Sequence, residues 1–331
     1  MPAVKLSNGS EFSAPVGLSL LDAGLAVGIT LPHSCKTGRC STCKCKVLQG
    51  LTKALQTETG ITDLERAGGW ILSCVRSAET DLTLDFEDLG EFVIPPIKTL
   101  PCRIFSIERR ARDVVIVRLR LPPTSEFMAI PGQHIDVIGP TGIRRSYSLA
   151  NADTSNKILE LHIRAVGGGV MSDYWFKQAK VNDLLRFNGP LGTFFLRNFA
   201  QLNLVFLATG TGIAPVKAML ESLIGNAPAQ SPKSVTVFWG GRTSIDLYFD
   251  AQVMPTSHRF VPVLSRAAAD WIGARGYVQK ALLDEYPDLA NTIVYACGSD
   301  VMIRSAKASL LTAGLPEKHF FSDAFVSSAK H

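Results

Sequence analysis

The sequence predicts a multidomain chain of α+β and α/β character. A β-grasp unit over residues 1–92 is followed by a linker over 93–99, a small β-barrel over 100–200 and a doubly wound parallel-sheet unit over 201–331. Three observations predict it. Four of the seven cysteines fall within residues 35–45, between hairpin-like and helix-like stretches. Three prolines crowd the nine residues 93–101, VIPPIKTLP, where they stiffen the chain and bar regular structure. Beyond them, short strands separated by turns give way to strands that alternate with helices. A chain of 331 residues exceeds one ordinary core, and 46% hydrophobic residues with a net charge of only +5 exclude disorder.

In the first unit, Val4-Lys5-Leu6 and Glu11-Phe12-Ser13 flank Asn8-Gly9 as a hairpin. Ser19 to Leu25 reads as a short helix, and Thr62 to Arg66 opens another that leads to Trp70–Cys74. Asp81 to Phe86 alternates as a strand. The cysteines are Cys35, Cys40, Cys43, Cys45, Cys74, Cys102 and Cys297. No basic start followed by an apolar run is visible, and no apolar run reaches the roughly 18 residues of a spanning helix. The expectation is therefore a cytoplasmic protein with no membrane span. An odd cysteine count in a reducing compartment argues against disulfides. Cys35, Cys40 and Cys43 read C-x4-C-x2-C, and Cys74 follows after 30 residues, which is the plant-type 2Fe–2S spacing. Gly38 lets the loop curl so that its amides face sulfur. Zinc favours paired C-x2-C knuckles, and only Cys40–Cys43 forms one. Cys45 reads as a strand residue after the loop.

Charge separates the units. Residues 1–92 carry 8 Lys and Arg against 11 Asp and Glu, a net of −3; residues 100–197 carry 14 against 8, a net of +6. The arginines of the middle sit singly in strand-like patterns such as Val117-Arg118-Leu119-Arg120-Leu121. With no reading helix or basic arm, the sequence argues against nucleic acid and favours docking of the acidic unit on a basic one.

The barrel strands are Cys102–Glu108, Val114–Leu121, His134–Ile138 and Leu159–Arg164. Arg145-Ser146-Tyr147-Ser148 sits at a strand end, and Gly167-Gly168-Gly169-Val170-Met171-Ser172 opens a helix-like stretch. Amides and dipole at such a helix start suit a pyrophosphate, and Arg145 supplies a guanidinium fork for the same phosphates. Further on, Leu202–Ala208, Val235–Trp239, Phe260–Leu264 and Thr292–Ala296 are strands of a parallel sheet. Gly210-Thr211-Gly212-Ile213-Ala214-Pro215 follows the first of them. It departs from the full G-x-G-x-x-G pattern because Pro215 holds the last position. Cys297-Gly298-Ser299 follows the fourth, at the same sheet edge.

In this order RSYS, GGxMS, GTGIAP and CGS resemble the motifs of the ferredoxin–NADP reductase superfamily, with a plant-type ferredoxin fused at the N-terminus. The resemblance covers essentially the whole chain. Within the superfamily, RSYSLAN, GPLGTFFLR, YACGSDVMI and FFSDAF resemble the CDP-6-deoxy-Δ3,4-glucoseen reductases, which serve 3,6-dideoxyhexose synthesis for bacterial O-antigens. Reductases of aromatic-ring oxygenases share most of the motifs.

The resemblance implies a 2Fe–2S cluster, FAD and a nicotinamide cofactor. It implies that Arg145 binds FAD phosphate, that Tyr147 stacks on the isoalloxazine and that Ser148 lies near flavin N5. Gly169, Met171 and Ser172 would hold the pyrophosphate. Gly210, Thr211, Gly212 and Pro215 would bind the nicotinamide cofactor's phosphates. Cys297 would touch the nicotinamide with Gly298 giving it room, and Phe325 would lie near the flavin's other face. Cys297, Ser148 and Tyr147 are thus the expected catalytic residues. No acidic residue ends the second strand, where Gly240-Gly241-Arg242 stands. Ser265-Arg266, Arg275 and Tyr277 resemble a 2′-phosphate site, but G-x-R-G-Y-V also occurs in NADH-using relatives. Subfamily resemblance favours NADH over NADPH. FAD accepts a hydride and releases single electrons, which a cluster takes one at a time. The implied acceptor is a partner protein: a PMP-dependent dehydrase or an oxygenase component.

Overall fold

The computed structural model describes residues 1–90, 92–224, 227, 230–249 and 258–325. Residues 1–94 and 95–325 form two compact units.

In the first unit, β1 (Ala3–Leu6) and β2 (Glu11–Ser13) form the hairpin. Helix α1 (Leu20–Ala26) starts at Ser19, whose Oγ accepts the Asp22 N–H at 3.0 Å. β3 (Lys44–Gln49) and β4 (Thr52–Ala54) follow the cysteine loop. Helix α2 (Asp63–Ala67) is fixed by a reciprocal capping pair, Thr62 and Glu65. β5 (Trp70–Leu72), β6 (Arg76–Ala78) and β7 (Leu82–Asp85) complete the unit. The main sheet runs β2-β1-β7-β3-β5, with β1 and β7 parallel. Val4, Leu21, Leu72 and Leu84 fill its core, and Cys45 joins them from β3, opposite Ile71 and fully buried.

The barrel is built from β8 (Lys98–Ala111), β9 (Val114–Arg120), β10 (His134–Ile138), β11 (Arg144–Ser148), β12 (Ile158–Arg164) and β13 (Leu184–Leu191). Between β12 and β13 lies α3 (Val170–Asp173), which continues as a π-helical turn through Gln178. The antiparallel order is β11-β10-β13-β8-β9-β12, and a Leu149–Leu161 bridge joins its two edges. β8 begins at Lys98, inside the stretch expected to be irregular, and carries Pro101. The reason is geometric. Ile104 donates its N–H to Asp183, so even-numbered residues of β8 face the β13 side. Pro101 therefore faces away from β13, at a point where β9 has already ended, since that pairing starts at Arg103. The missing N–H costs no ladder bond.

The remaining residues form one parallel sheet, β17-β16-β15-β14-β18-β19. Its elements are β14 (Asn203–Thr209), α4 (Ile213–Ser222), β15 (Ser234–Gly241), β16 (Arg259–Leu264), β17 (Ala274–Arg275), α5 (Val278–Glu285), β18 (Thr292–Ser299), α6 (Asp300–Thr312) and β19 (Phe320–Phe325). The four anticipated strands are present, and β17 and β19 extend the sheet on either side. Connections leave β14 to one side and β18 to the other, which opens a crevice at their carboxyl ends. Pro215 is no obstacle there, because the first turn of α4 has no internal use for its N–H. At Gly212 a Cβ would stand 2.2 Å from the Cys297 carbonyl oxygen; at Gly298 it would stand 2.1 Å from Thr209 Oγ1. The two turns meet backbone to backbone.

A buried charge network ties the barrel to this sheet. Glu160 of β12 lies 3.2 Å from His162 Nε2, 3.2 Å from Lys217 Nζ and 2.9 Å from Arg118 Nη2. Lys217, on α4, also donates to the Ala150 carbonyl at 3.0 Å and to Glu221 at 2.6 Å. His162 Nδ1 lies 3.0 Å from the Tyr248 hydroxyl. Tyr248 packs edge-on against Trp239, whose Nε1–H donates to the Gly210 carbonyl at 2.9 Å. Burial alone would raise the Glu160 carboxyl, yet His162, Lys217 and Arg118 hold it at about 2. Burial also keeps His162 below its ordinary value, hence neutral at pH 7.

Two outcomes follow from this packing. The folded-state value for Glu160 lies below the ordinary 4.5, so its stabilisation is complete above pH 4.5 and is lost as pH falls toward about 2. Glu160→Gln should cost on the order of 2–3 kcal/mol at pH 7, and in urea unfolding its deficit against the parent should narrow below pH 4.5. Gly212→Ala should cost at least about 1–3 kcal/mol through overpacking against backbone, read as a lower Tm. Gly167→Ala, where an added Cβ meets nothing within 4 Å, should stay within about 0.5 kcal/mol.

Candidate functional site

The crevice between β14 and β18 holds a cavity of about 610 Å³. Thr209, Gly210 and Thr211 line one wall, and Ser299, Met302 and Phe325 line another. Arg242, Ser265, Tyr277 and Gln279 line it farther along the sheet edge. Ser299 caps α6 and accepts the Met302 N–H at 3.3 Å, so the starts of α4 and α6 both turn toward this crevice. Gly210, Thr211, Arg242 and Phe325 all line this crevice. Gly212 and Gly298 pack closely beneath the crevice and Pro215 is buried in α4, and none of the three lines it.

Cys297 does not line the cavity. It is fully buried in β18, level with Ala208 of β14, and burial pushes its thiol well above the ordinary range. Ser299, two residues on, lines the wall in its place. Arg266 is exposed, and its N–H donates to the Arg242 carbonyl at 2.7 Å. The Arg275 guanidinium is committed to its own loop, with Nη2 donating to the carbonyls of Ala268, Ala269 and Trp271 at 2.8–3.1 Å.

Two lining residues, Arg164 and Gln279, were missed by sequence reasoning, and Tyr277 was named only with Arg275. Arg164 ends β12; its Nη1 would stand 2.7 Å from a Cβ on Gly210, and its guanidinium reaches Asp113 at 3.2 Å and Asp246 at 3.5 Å. Tyr277 is 67% exposed at the rim. Gln279 is buried and donates to Ser305 Oγ at 2.9 Å, while its Oε1 has no hydrogen-bond partner among the described residues. Only the fold brings β12 to Gly210, so no local signal marked Arg164. Gln279 was legible only as a neighbour of Arg275 and Tyr277.

On the barrel, β11 pairs with β10 so that Arg145 lies opposite Val137, Tyr147 opposite Ile135 and Ser148 opposite His134. The Tyr147 hydroxyl accepts Trp175 Nε1–H at 2.9 Å; burial pushes the phenol up to about 12, so it stays neutral. Ser148 is buried, and Arg145 donates to the Arg144 carbonyl at 2.7 Å. Gly169 caps α3. Met171 packs into the barrel core, and Ser172 Oγ accepts the Val166 N–H at 2.8 Å, which shapes the glycine loop. Of the residues expected at a pyrophosphate, Met171 can offer only its backbone.

The cysteine loop curls as anticipated, with Lys36, Gly38 and Ser41 at φ of 54°, 71° and 60°. At Gly38 a Cβ would stand 2.7 Å from the Thr57 carbonyl oxygen, so only glycine fits. The Cys35 N–H points at Cys40 Sγ and the Thr37 N–H at Cys35 Sγ, both at 3.4 Å. Cys43 Sγ lies 3.2 Å from Cys74 Sγ. A hydrogen bond from Cys40, aided by the Thr37 and Arg39 amides, draws Cys35 down to about 4, and Cys43 likewise lowers Cys74. The partner thiols, Cys40 and Cys43, are raised by the same bonds and by burial. Iron takes thiolate, and two of these four sulfurs are already drawn toward it. The donor set fits an iron–sulfur cluster. Among the described residues no helix is long and apolar enough to cross a membrane.

Comparison with known proteins gives the same three parts. Residues 5–79 match the 2Fe-2S iron-sulfur cluster binding domain, 101–196 the oxidoreductase FAD-binding domain and 206–308 the oxidoreductase NAD-binding domain. The chain is 41% identical over 326 residues to the CDP-6-deoxy-L-threo-D-glycero-4-hexulose-3-dehydrase reductase of Yersinia pestis, covering 97% of each chain. It is 31% identical to the xylene/toluene monooxygenase electron transfer component XylA of Pseudomonas putida, covering 96% of this chain and 91% of that one. The structure of the Amycolatopsis cytochrome P450 reductase GcoB superposes with a TM-score of 0.75 at 28% identity, covering 98% and 99%. Cysteine loop, flavin barrel and nicotinamide crevice on one chain identify a member of the iron–sulfur flavoprotein reductases, NAD(P)H-dependent oxidoreductases that bind a 2Fe–2S cluster and FAD and pass electrons to a partner protein.

Proposed function

We propose that this reductase carries electrons from NADH, through FAD and the 2Fe–2S cluster, to a PMP-dependent dehydrase that forms 3,6-dideoxyhexoses from a CDP-linked sugar. The observation that carries the reading is the 41% identity, over nearly the whole of both chains, to a reductase named for such a dehydrase. An oxygenase component is the second reading, favoured by the fold shared with a P450 reductase and by the 31% identity to a monooxygenase component. With each purified acceptor in turn, NADH oxidation should couple to dehydrase turnover and not to substrate hydroxylation. Coupling to the oxygenase alone would overturn the first reading.

The roles fall to residues as follows. Cys35, Cys40, Cys43 and Cys74 ligate the cluster in a domain spanning 1–92, joined by 93–99 to the FAD domain, 100–200, and the nicotinamide domain, 201–331. Arg145 binds FAD phosphate, and Tyr147 and Ser148 face the flavin ring. The amides of Gly169, Met171 and Ser172 receive the pyrophosphate. Gly210 and Thr211 receive the nicotinamide cofactor in the crevice, with Ser299 and Phe325 on its far wall and Gln279 accepting from its adenosine end. Cys297 supports that wall from within. Arg275, held by carbonyls, has no fork to spare for a 2′-phosphate, which favours NADH.

Serine at any one of Cys35, Cys40, Cys43 or Cys74 should abolish the visible iron–sulfur spectrum and spare FAD, whereas Cys45→Ser should keep both. Arg145→Ala removes a charge-assisted phosphate contact worth roughly 1.5–3 kcal/mol, so the FAD Kd should rise about ten- to a hundredfold in flavin titration.

A further inference from the structure

We propose that Glu58 is a positioning residue for the cluster, clamping the Cys74 segment to the Cys35–Cys43 loop. This rests on the ligand assignment above. The side chain of Glu58 is only 2% exposed, although it belongs to the loop between β4 and α2. Its Oε1 accepts the Leu72 N–H at 2.9 Å. Its Oε2 takes a fork from Arg76, with Nε at 3.0 Å and Nη2 at 2.5 Å, and Arg66 Nε stands 3.8 Å away. Leu72 and Arg76 lie two residues before and two residues after Cys74, so one carboxylate grips both flanks of that ligand.

The same loop grips the turn that lies among the other three cysteines. Two residues after Glu58, the Gly60 N–H donates to the Gly38 carbonyl at 2.9 Å, and Ser41 Oγ donates to the Gly60 carbonyl. A Cβ on Gly60 would stand 2.9 Å from the Arg39 carbonyl oxygen, so this contact is also close-packed. A route of short contacts thus runs from the Gly38–Ser41 turn through Gly60 and Glu58 to both sides of Cys74. Burying a carboxylate is costly unless it is paired, and here the pairing is spent on the segment that carries a single ligand. Groups that orient ligands in this way set both metal retention and the electronic setting of the metal.

The test uses the full-length protein. Glu58→Gln keeps the shape but places an amide N–H₂ or a neutral oxygen against the Arg76 fork. Loss of the visible cluster spectrum to a chelator should quicken about tenfold, the lower end of what such supporting groups contribute. FAD content should be unchanged. The reduction potential of the remaining cluster should shift upward, because a negative charge that opposes reduction is gone. A purely structural role would lower stability and leave the potential in place. Should Glu58→Gln fail to fold, Arg76→Lys keeps the charge, breaks the fork and should quicken cluster loss in the same direction. Wild-type lifetime and potential in the variant that folds would overturn the proposal. Cys74→Ser, run in parallel, separates the two failures. A retained cluster there would overturn the ligand assignment and the clamp with it, whereas a lost cluster beside an unaffected Glu58→Gln would overturn the clamp alone.

Discussion

Where β14 and β18 part company, two backbones approach so closely that neither turn has room for a β-carbon. Gly212 lies on the Cys297 carbonyl, and Gly298 lies on the Thr209 side chain. The crevice exists because this junction is tight. It sets the first turn of α4 and the Ser299 cap of α6 side by side, so that amide donors from two helices converge on one space. A looser junction would splay the helix starts and let water between them. Cys297 belongs to this junction. Its thiol is spent on packing, and the solvent-facing chemistry of the wall passes to Ser299.

Much of the architecture was legible because parallel strands buried on both faces read as continuous apolar runs, as in Leu204 to Ala208. The helix starts were legible from their caps, Ser19 and Thr62. β13 escaped because its alternation, with Leu185 and Phe187 inward, runs into Gly189-Pro190, which reads as a turn. β17 is two residues long and has no periodicity to find. The cysteine spacing was the most legible feature of the candidate site, since it is local. Arg164 and Gln279 were illegible, because they come together only after separate strands and helices reach the same sheet edge. Arg275 misled for a related reason: its type suggested an anion, but its four-carbonyl environment is a product of the folded loop.

Buried carboxylates recur as fasteners. Glu160 holds cations from β9 and α4 and a neutral histidine of its own strand, so the flavin barrel and the nicotinamide sheet are registered by charge as well as by apolar packing. Through Tyr248 and Trp239 the same network ends at the Gly210 carbonyl, the first residue of the crevice turn. Side chains far from any ligand therefore help to decide where the turn sits relative to β12. Such networks cost more when half-satisfied than when absent, which fixes their members together.

Pro101 has a second effect. The start of β8 pairs only with β13, and Thr99, Pro101 and Arg103 are exposed there. Their main-chain groups on the far side have no β9 partner before Arg103. A stretch of that kind is a template on which another chain can add a strand. The proline withdraws the donor at its centre and the neighbouring arginine adds charge, so the barrel carries its own guard against self-association along an open strand edge.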